Sequence, residues 1–163
     1  MKFLIDAMLG RLARFLRIFG YDTIYANDLE KVYKIDSVPD DILIEYAKET
    51  DRIIITKDYP LYERFENQCI FLEGEDVYGY LNQLRKKLVL NYEFNMEKAH
   101  CSVCNSSLEE VSDKNLIKDR IKNETFKYYN EFFQCVNPNC KKVFWDGPHI
   151  KNIKQKLKEN LNN

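Results

Sequence analysis

Up to about residue 92 the apolar residues follow two rhythms in turn. Lys2-Phe-Leu-Ile-Asp6, Arg52-Ile-Ile-Ile-Thr56 and Gln68-Cys-Ile-Phe-Leu72 hold short continuous apolar runs, and Asp22-Thr-Ile-Tyr-Ala26 is a fourth short segment of the same kind. Such runs are too unbroken for a half-solvated strand and too short for a buried helix, so they predict strands covered on both faces. Between them the spacing is helical. Leu9, Leu12, Ala13, Leu16 and Phe19 make one apolar face over 7–19, with Gly20 placed to end the helix. Ile42, Leu43, Tyr46 and Ala47 do the same over 40–49, where Asp40 is the expected N-cap. Shorter helical patterns cover 60–65 and 76–88, and 27–39 reads as a loop ending in Val38-Pro39. Strand and helix alternating in this way imply a parallel sheet with helical crossovers.

Beyond residue 95 the periodicity stops. Paired cysteines and polar residues follow, with no long helix before a Lys-rich tail. The reading is a unit over 1–92 and a second over 93–163 that carries the cysteines and the tail. Composition adds that the chain of 163 residues, 45% hydrophobic and 31% charged, can bury a core. A net charge of −1 gives no general case for nucleic-acid binding, although 1–90 is mildly acidic and 91–163 mildly basic. No apolar segment reaches the length of a membrane span, and Asp6 interrupts the opening run, so a soluble, cytoplasmic protein is expected. Five cysteines in a reducing compartment point to metal or core packing rather than disulfides.

Asp6 and Asp58 follow the first and third predicted strands, and Asp40 opens the helix between them. Ligands of open α/β sheets bind at the carboxyl ends of the strands. Converging carboxylates repel, and a hard divalent cation, Mg²⁺ or Mn²⁺, relieves that. A single such aspartate would mean little, because aspartate is common at caps and turns. Three on one sheet edge carry more. Asp41 competes with Asp40 for the ligand role, and Asp28 and Asp76 are weaker candidates for a fourth acid. Arg11, Arg14 and Arg17, spaced three apart, either hold phosphates or form a solvated helix face. Lys57 beside Asp58 is a further candidate phosphate contact, or ordinary surface.

Cys101-x2-Cys104 and Cys135-x4-Cys140 supply four thiolates in two close pairs, the pattern of a structural Zn²⁺ site with no open position for chemistry. The 105–134 interval is long enough for ribbon strands, and the metal would contribute much of the folding energy of so small a unit. Cys69 reads as a core residue. Trp145 is either a base-stacking platform or a core plug. His149 is a candidate RNA contact or a structural loop histidine, and His100 a remote alternative zinc ligand.

Phe3-Leu-Ile-Asp6-Ala-Met-Leu-Gly-Arg-Leu-Ala-Arg14, Gly20-Tyr-Asp22, Asp40-Asp41, Arg52-Ile-Ile-Ile-Thr-Lys-Asp58, the cysteine pairs and Phe144-Trp-x-Gly-x-His149 together resemble the Mut-seven C-terminal RNase domain. The resemblance implies a PIN-like three-layer α/β/α fold with a zinc ribbon, and metal-dependent RNA cleavage. Asp6, Asp40 and Asp58 match its acids, Arg11 and Arg14 lie beside them, and the four cysteines match the ribbon. The second cysteine gap is longer than the usual knuckle, Lys141 stands where glycine commonly follows, and a fourth acid has no clear counterpart. RNA is the implied partner, and an antitoxin-like or homo-oligomeric partner stays open. So does a different class of function, a non-catalytic zinc-ribbon module that binds RNA or protein.

Overall fold

A computed structural model describes residues 1–161. Four parallel strands, β1 (Lys2–Ile5), β2 (Asp22–Tyr25), β3 (Ile53–Thr56) and β4 (Cys69–Phe71), form a sheet in the order β2-β1-β3-β4. Pairing is in register, with Leu4 beside Ile24 on one side and Ile54 on the other. Successive side chains point to opposite faces of a strand, and both faces here are apolar. Phe3, Ile5 and Ile55 pack with α1 (Gly10–Ile18), α5 (Val77–Leu88) and α7 (Pro148–Leu161). Leu4 and Ile54 pack with α2 (Ala26–Tyr33), α3 (Asp40–Thr50) and α4 (Tyr59–Arg64). This is the expected three-layer α/β/α arrangement. Gly20, at φ +84°, turns the chain after α1.

Two local expectations change. The segment read as a loop contains α2, whose buried face is only Ala26 and Leu29, too small a stripe to register as a helical period. Asp40 lies in the first turn of α3 without capping it, and Pro39 takes the cap position. The Lys-rich tail is the helix α7, and its Ile153 and Leu157 enter the same core as α1 and α5. Cys69 is buried as expected, its thiol pushed up to about 12 by burial.

Residues between α5 and α7 carry a second, antiparallel sheet of β5 (Leu108–Glu110), β6 (Phe133–Cys135) and β7 (Val143–Phe144). The interval between β5 and β6 is partly helical, with α6 at Asn123–Tyr128. Two polar joints fasten this ribbon to the sheet. Arg17, 2% exposed, donates to the carbonyls of Thr23, Ser102 and Val103 and pairs with Asp28 at 2.6 Å. Beside it, Asp22 accepts a two-pronged contact from Arg52 at 2.9 and 3.0 Å and a third hydrogen bond from the Asn105 side-chain amide. Arg17 is therefore a buried fastener rather than a phosphate contact, and Asp28 is its counter-ion rather than a fourth acid. Asp76 is likewise committed, capping α5 through the amides of Tyr78 and Gly79.

Arg17→Met leaves Asp28 and three carbonyls without their donor, so urea unfolding should show a loss of about 3 kcal/mol. Burial works to raise the Asp22 carboxyl, but hydrogen bonds from Arg52 and Asn105 and the charge of Arg52 hold it below its ordinary value. The unfolded chain takes up that proton first as pH falls. The joint's contribution is thus fully present above roughly pH 4 and is lost as pH drops through the native pKa. Asp22→Asn should lower stability at neutral pH by about 2 kcal/mol and flatten the acid limb of stability against pH.

Candidate active site and metal centre

The strand order places β2 on one side of β1 and β3 on the other, so the chain's crossovers diverge at the β1–β3 boundary. A switch of this kind opens a crevice at the carboxyl ends of the two strands. Asp6 directly follows β1 and Asp58 lies two residues beyond β3. One hydroxyl joins them: Thr56, fully buried, donates to Asp6 Oδ2 at 2.6 Å and accepts the Asp58 backbone N–H at 2.8 Å. The Asp58 carboxylate also caps α4, accepting from the Leu61 amide at 3.2 Å. Each of the two acids thus has one oxygen engaged by the protein.

Asp40 is held differently. Arg64, near the end of α4, donates to Asp40 Oδ2 at 3.2 Å and also grips Asp41. An arginine, not a second carboxylate, is therefore the immediate neighbour of both candidates. Among the described residues, Asp6, Asp40 and Asp58 do not bring their oxygens within 4.8 Å of one another; the cysteines alone form such a group. Asp6 and Asp58 share the crevice through Thr56, while Asp40 pairs with Arg64 and with neither of them.

Arg11 and Arg14 are exposed, and among the described residues neither has a carboxylate partner; Arg11 lies 5.7 Å from the Phe15 ring centre. Both line a groove of about 1030 Å³ between α1, α2 and the ribbon, together with Tyr25, Lys142, Trp145 and His149. The Tyr25 hydroxyl donates to the Ala7 carbonyl at 2.8 Å, which sets one end of the groove beside Asp6. Lys57 is not part of it. Its ammonium pairs with Glu75 at 2.7 Å, and that hydrogen bond is the main reason its pKa is raised.

The four cysteines converge as their spacing required. Cys101 and Cys140 sulfurs lie 3.7 Å apart, and those of Cys104 and Cys135 3.4 Å apart. A tetrahedron with Zn–S bonds near 2.3 Å has edges of about 3.8 Å, so the cluster can hold Zn²⁺. These separations are far beyond a disulfide bond. Burial raises the thiols of Cys101 and Cys135, whereas at Cys104 the same effect is outweighed by contacts with Ser106 and the neighbouring cysteines, which hold that thiol below its ordinary value. His100 turns its ring nitrogen to the Asn105 carbonyl at 2.8 Å and is not needed as a ligand. Nor is the cluster an isolated appendage, because Arg17 holds the carbonyls of Ser102 and Val103 inside its first turn.

The Mut7-C RNAse domain model matches residues 1–157 of the chain. The chain belongs to that family. No curated protein and no solved structure matches it. Membership makes ribonuclease activity the family-level expectation and RNA the substrate that goes with it, and this Mut7-C chain adds a four-cysteine cluster that could hold zinc. No helix among the described residues is long and apolar enough to cross a membrane.

Spacing along the sequence singled out the aspartates as candidates and brought out the converging cysteines, but missed the contacts of Thr56, Arg64, Arg52 and Tyr25. Thr56 had one signal: it is the polar residue closing the Ile53-Ile54-Ile55 run. Arg64 had none, because its contact with Asp40 spans 24 positions. The purified chain should carry one zinc per molecule by elemental analysis, and Cys135→Ser should lose it. Stripping the metal should lower the thermal midpoint of the whole chain, read by far-ultraviolet circular dichroism, because the ribbon's first turn and α1 share Arg17.

Proposed function

We propose that the chain is a metal-dependent ribonuclease that hydrolyses RNA phosphodiester bonds at the Asp6–Asp58 crevice. The observation that carries this reading is the shared Thr56 hydroxyl, which fixes two acids on the carboxyl ends of adjacent strands at the switch point. The donor set is all hard oxygen and suits Mg²⁺ or Mn²⁺. Asp6 and Asp58 would hold the ion with their remaining oxygens, and Asp40 would assist through water, since Mg²⁺ keeps several of its own waters. Bound there, the ion would supply charge neutralisation at the phosphate and a more acidic water.

The protein's own groups do the positioning. Thr56 locks the Asp6 rotamer by donating its proton to one carboxylate oxygen, and the Leu61 amide does the same for Asp58. Arg11 and Arg14, without a carboxylate partner among the described residues, neutralise phosphates of the strand beside the scissile bond. Attack of water oxygen on phosphorus breaks the P–O3′ bond. The leaving oxygen takes up a proton, giving 3′-hydroxyl and 5′-phosphate ends. No serine, cysteine or histidine nucleophile is required.

A second reading, a non-catalytic zinc-ribbon binding module, draws on Arg64 occupying Asp40 and Asp41. Labelled RNA with Mn²⁺ or Mg²⁺ separates the two. The wild type should yield 5′-phosphate products, Asp6→Asn should fall by about a hundredfold or more, and Thr56→Val by about ten- to a hundredfold. Equal cleavage by wild type and Asp6→Asn would remove the nuclease assignment. RNA binding with no cleavage by either would leave the binding module.

A further inference from the structure

The long interval between the ribbon's cysteine pairs builds something that the nuclease reading does not use. Beyond the groove that holds Arg11 and Arg14 lies a second hollow of about 580 Å³, walled by Arg120, Lys122, Thr125, Lys142, Val143 and Trp145. Lys142, Val143 and Trp145 line both spaces, so the β7 edge is the wall between them. We propose that single-stranded RNA leaving the acid crevice follows the first groove, crosses this edge at Trp145 and seats its next nucleotides in the second hollow.

Charge carries the first part of the argument. Arg120, Lys122 and Lys142 are all exposed, and among the described residues none has a carboxylate partner and no carboxylate lines the hollow. Arg120 instead donates to the Lys141 carbonyl, and the Lys142 ammonium lies 5.7 Å from the Phe144 ring centre. Three unneutralised cations in one concavity of a chain whose net charge is −1 call for a polyanion.

Shape and aromatic placement favour a single strand. A duplex offers a convex cylinder read across its minor grooves, whereas separated bases enter concave spaces and stack on aromatic faces. Trp145 is half-buried, with Phe132 at 6.1 Å and Tyr129 at 6.4 Å on its inner side. Gly147 keeps it there: a Cβ at that position would lie 2.4 Å from the indole nitrogen. The glycine thus leaves room for the indole on the wall between the two hollows. The proposal rests on RNA being the substrate, as the nuclease reading has it.

Trp145 is the only tryptophan, so its emission reports on that wall alone. The full zinc-loaded Asp6→Asn chain would be titrated with oligouridylates of about four and about twelve nucleotides, the span that small strand-binding folds cover. The longer strand should quench Trp145. Replacing Arg120, Lys122 and Lys142 together by alanine should weaken that strand about tenfold or more and the shorter one, which meets only Lys142 of the three in the first groove, by much less. The slope of log affinity against log salt should flatten by about 2, at about 0.7 for each of three phosphate contacts. Gly147→Ala, which displaces the indole, should lose the quenching and keep the salt slope.

An unchanged affinity and slope in the triple variant would overturn the proposal, as would equal binding of a duplex of the same length. If cleavage by the wild type holds but the triple variant binds like its parent, the second hollow falls and the nuclease stands. If the quenching and slope changes occur yet the wild type never cleaves with Mg²⁺ or Mn²⁺, the nuclease reading falls and the strand path stands.

Discussion

A guanidinium cannot be buried unless nearly all of its donors find acceptors, because the desolvation of an unpaired charge exceeds what a small domain can absorb. Arg17 meets that condition only when three separate pieces of chain are in place at once. These are the Thr23 carbonyl on β2, the Asp28 carboxylate on α2, and the carbonyls of Ser102 and Val103 in the ribbon's first cysteine turn. The backbone reinforces it, since the His100 amide donates to the Arg17 carbonyl at 2.8 Å. The ribbon's placement over α1 is thereby a condition of folding, not a loose docking. The groove between α1 and β7 inherits its width from that joint.

How much of this was legible in the sequence depends on the range of the interaction that decides each feature. The strands were legible because burial on both faces writes a local signature, as at Ile53, Ile54 and Ile55. The cysteines were legible because tetrahedral coordination demands paired thiolates at short spacing. Arg17 was misread for a geometric reason. At 3.6 residues per turn, a spacing of three drifts by about 60° at each step, so Arg17 lies about 120° around the helix from Arg11. Arg11 and Arg14 remain exposed, while the third arginine rotates towards the core. Helix α2 was missed because two buried residues do not make a period. The partners of the acids were hidden because Arg64 meets Asp40 across 24 positions.

Global charge also concealed local charge. A net of −1 arises from near-equal numbers of acids and bases, yet the fold pairs them unevenly. Arg17, Arg52, Lys57, Arg64 and Lys154 each face a carboxylate. The exposed cations along the groove and the second hollow do not, among the described residues. A sequence-wide sum is blind to this sorting, which is the feature a polyanion would sense.

The acid crevice shows the opposite sorting, and its partners differ in strength. The Thr56 hydroxyl is wholly buried and holds Asp6 at 2.6 Å, so that bond is shielded from competing water. Arg64 is about half exposed, and Asp41 is largely in solvent. Exposed ion pairs of this kind contribute about 0–1 kcal/mol. A divalent cation attracted by several carboxylates offers far more than that. The proposed metal site would therefore form around a rigid pair, Asp6 and Asp58, and Asp40 would leave its arginine at little cost to assist through water.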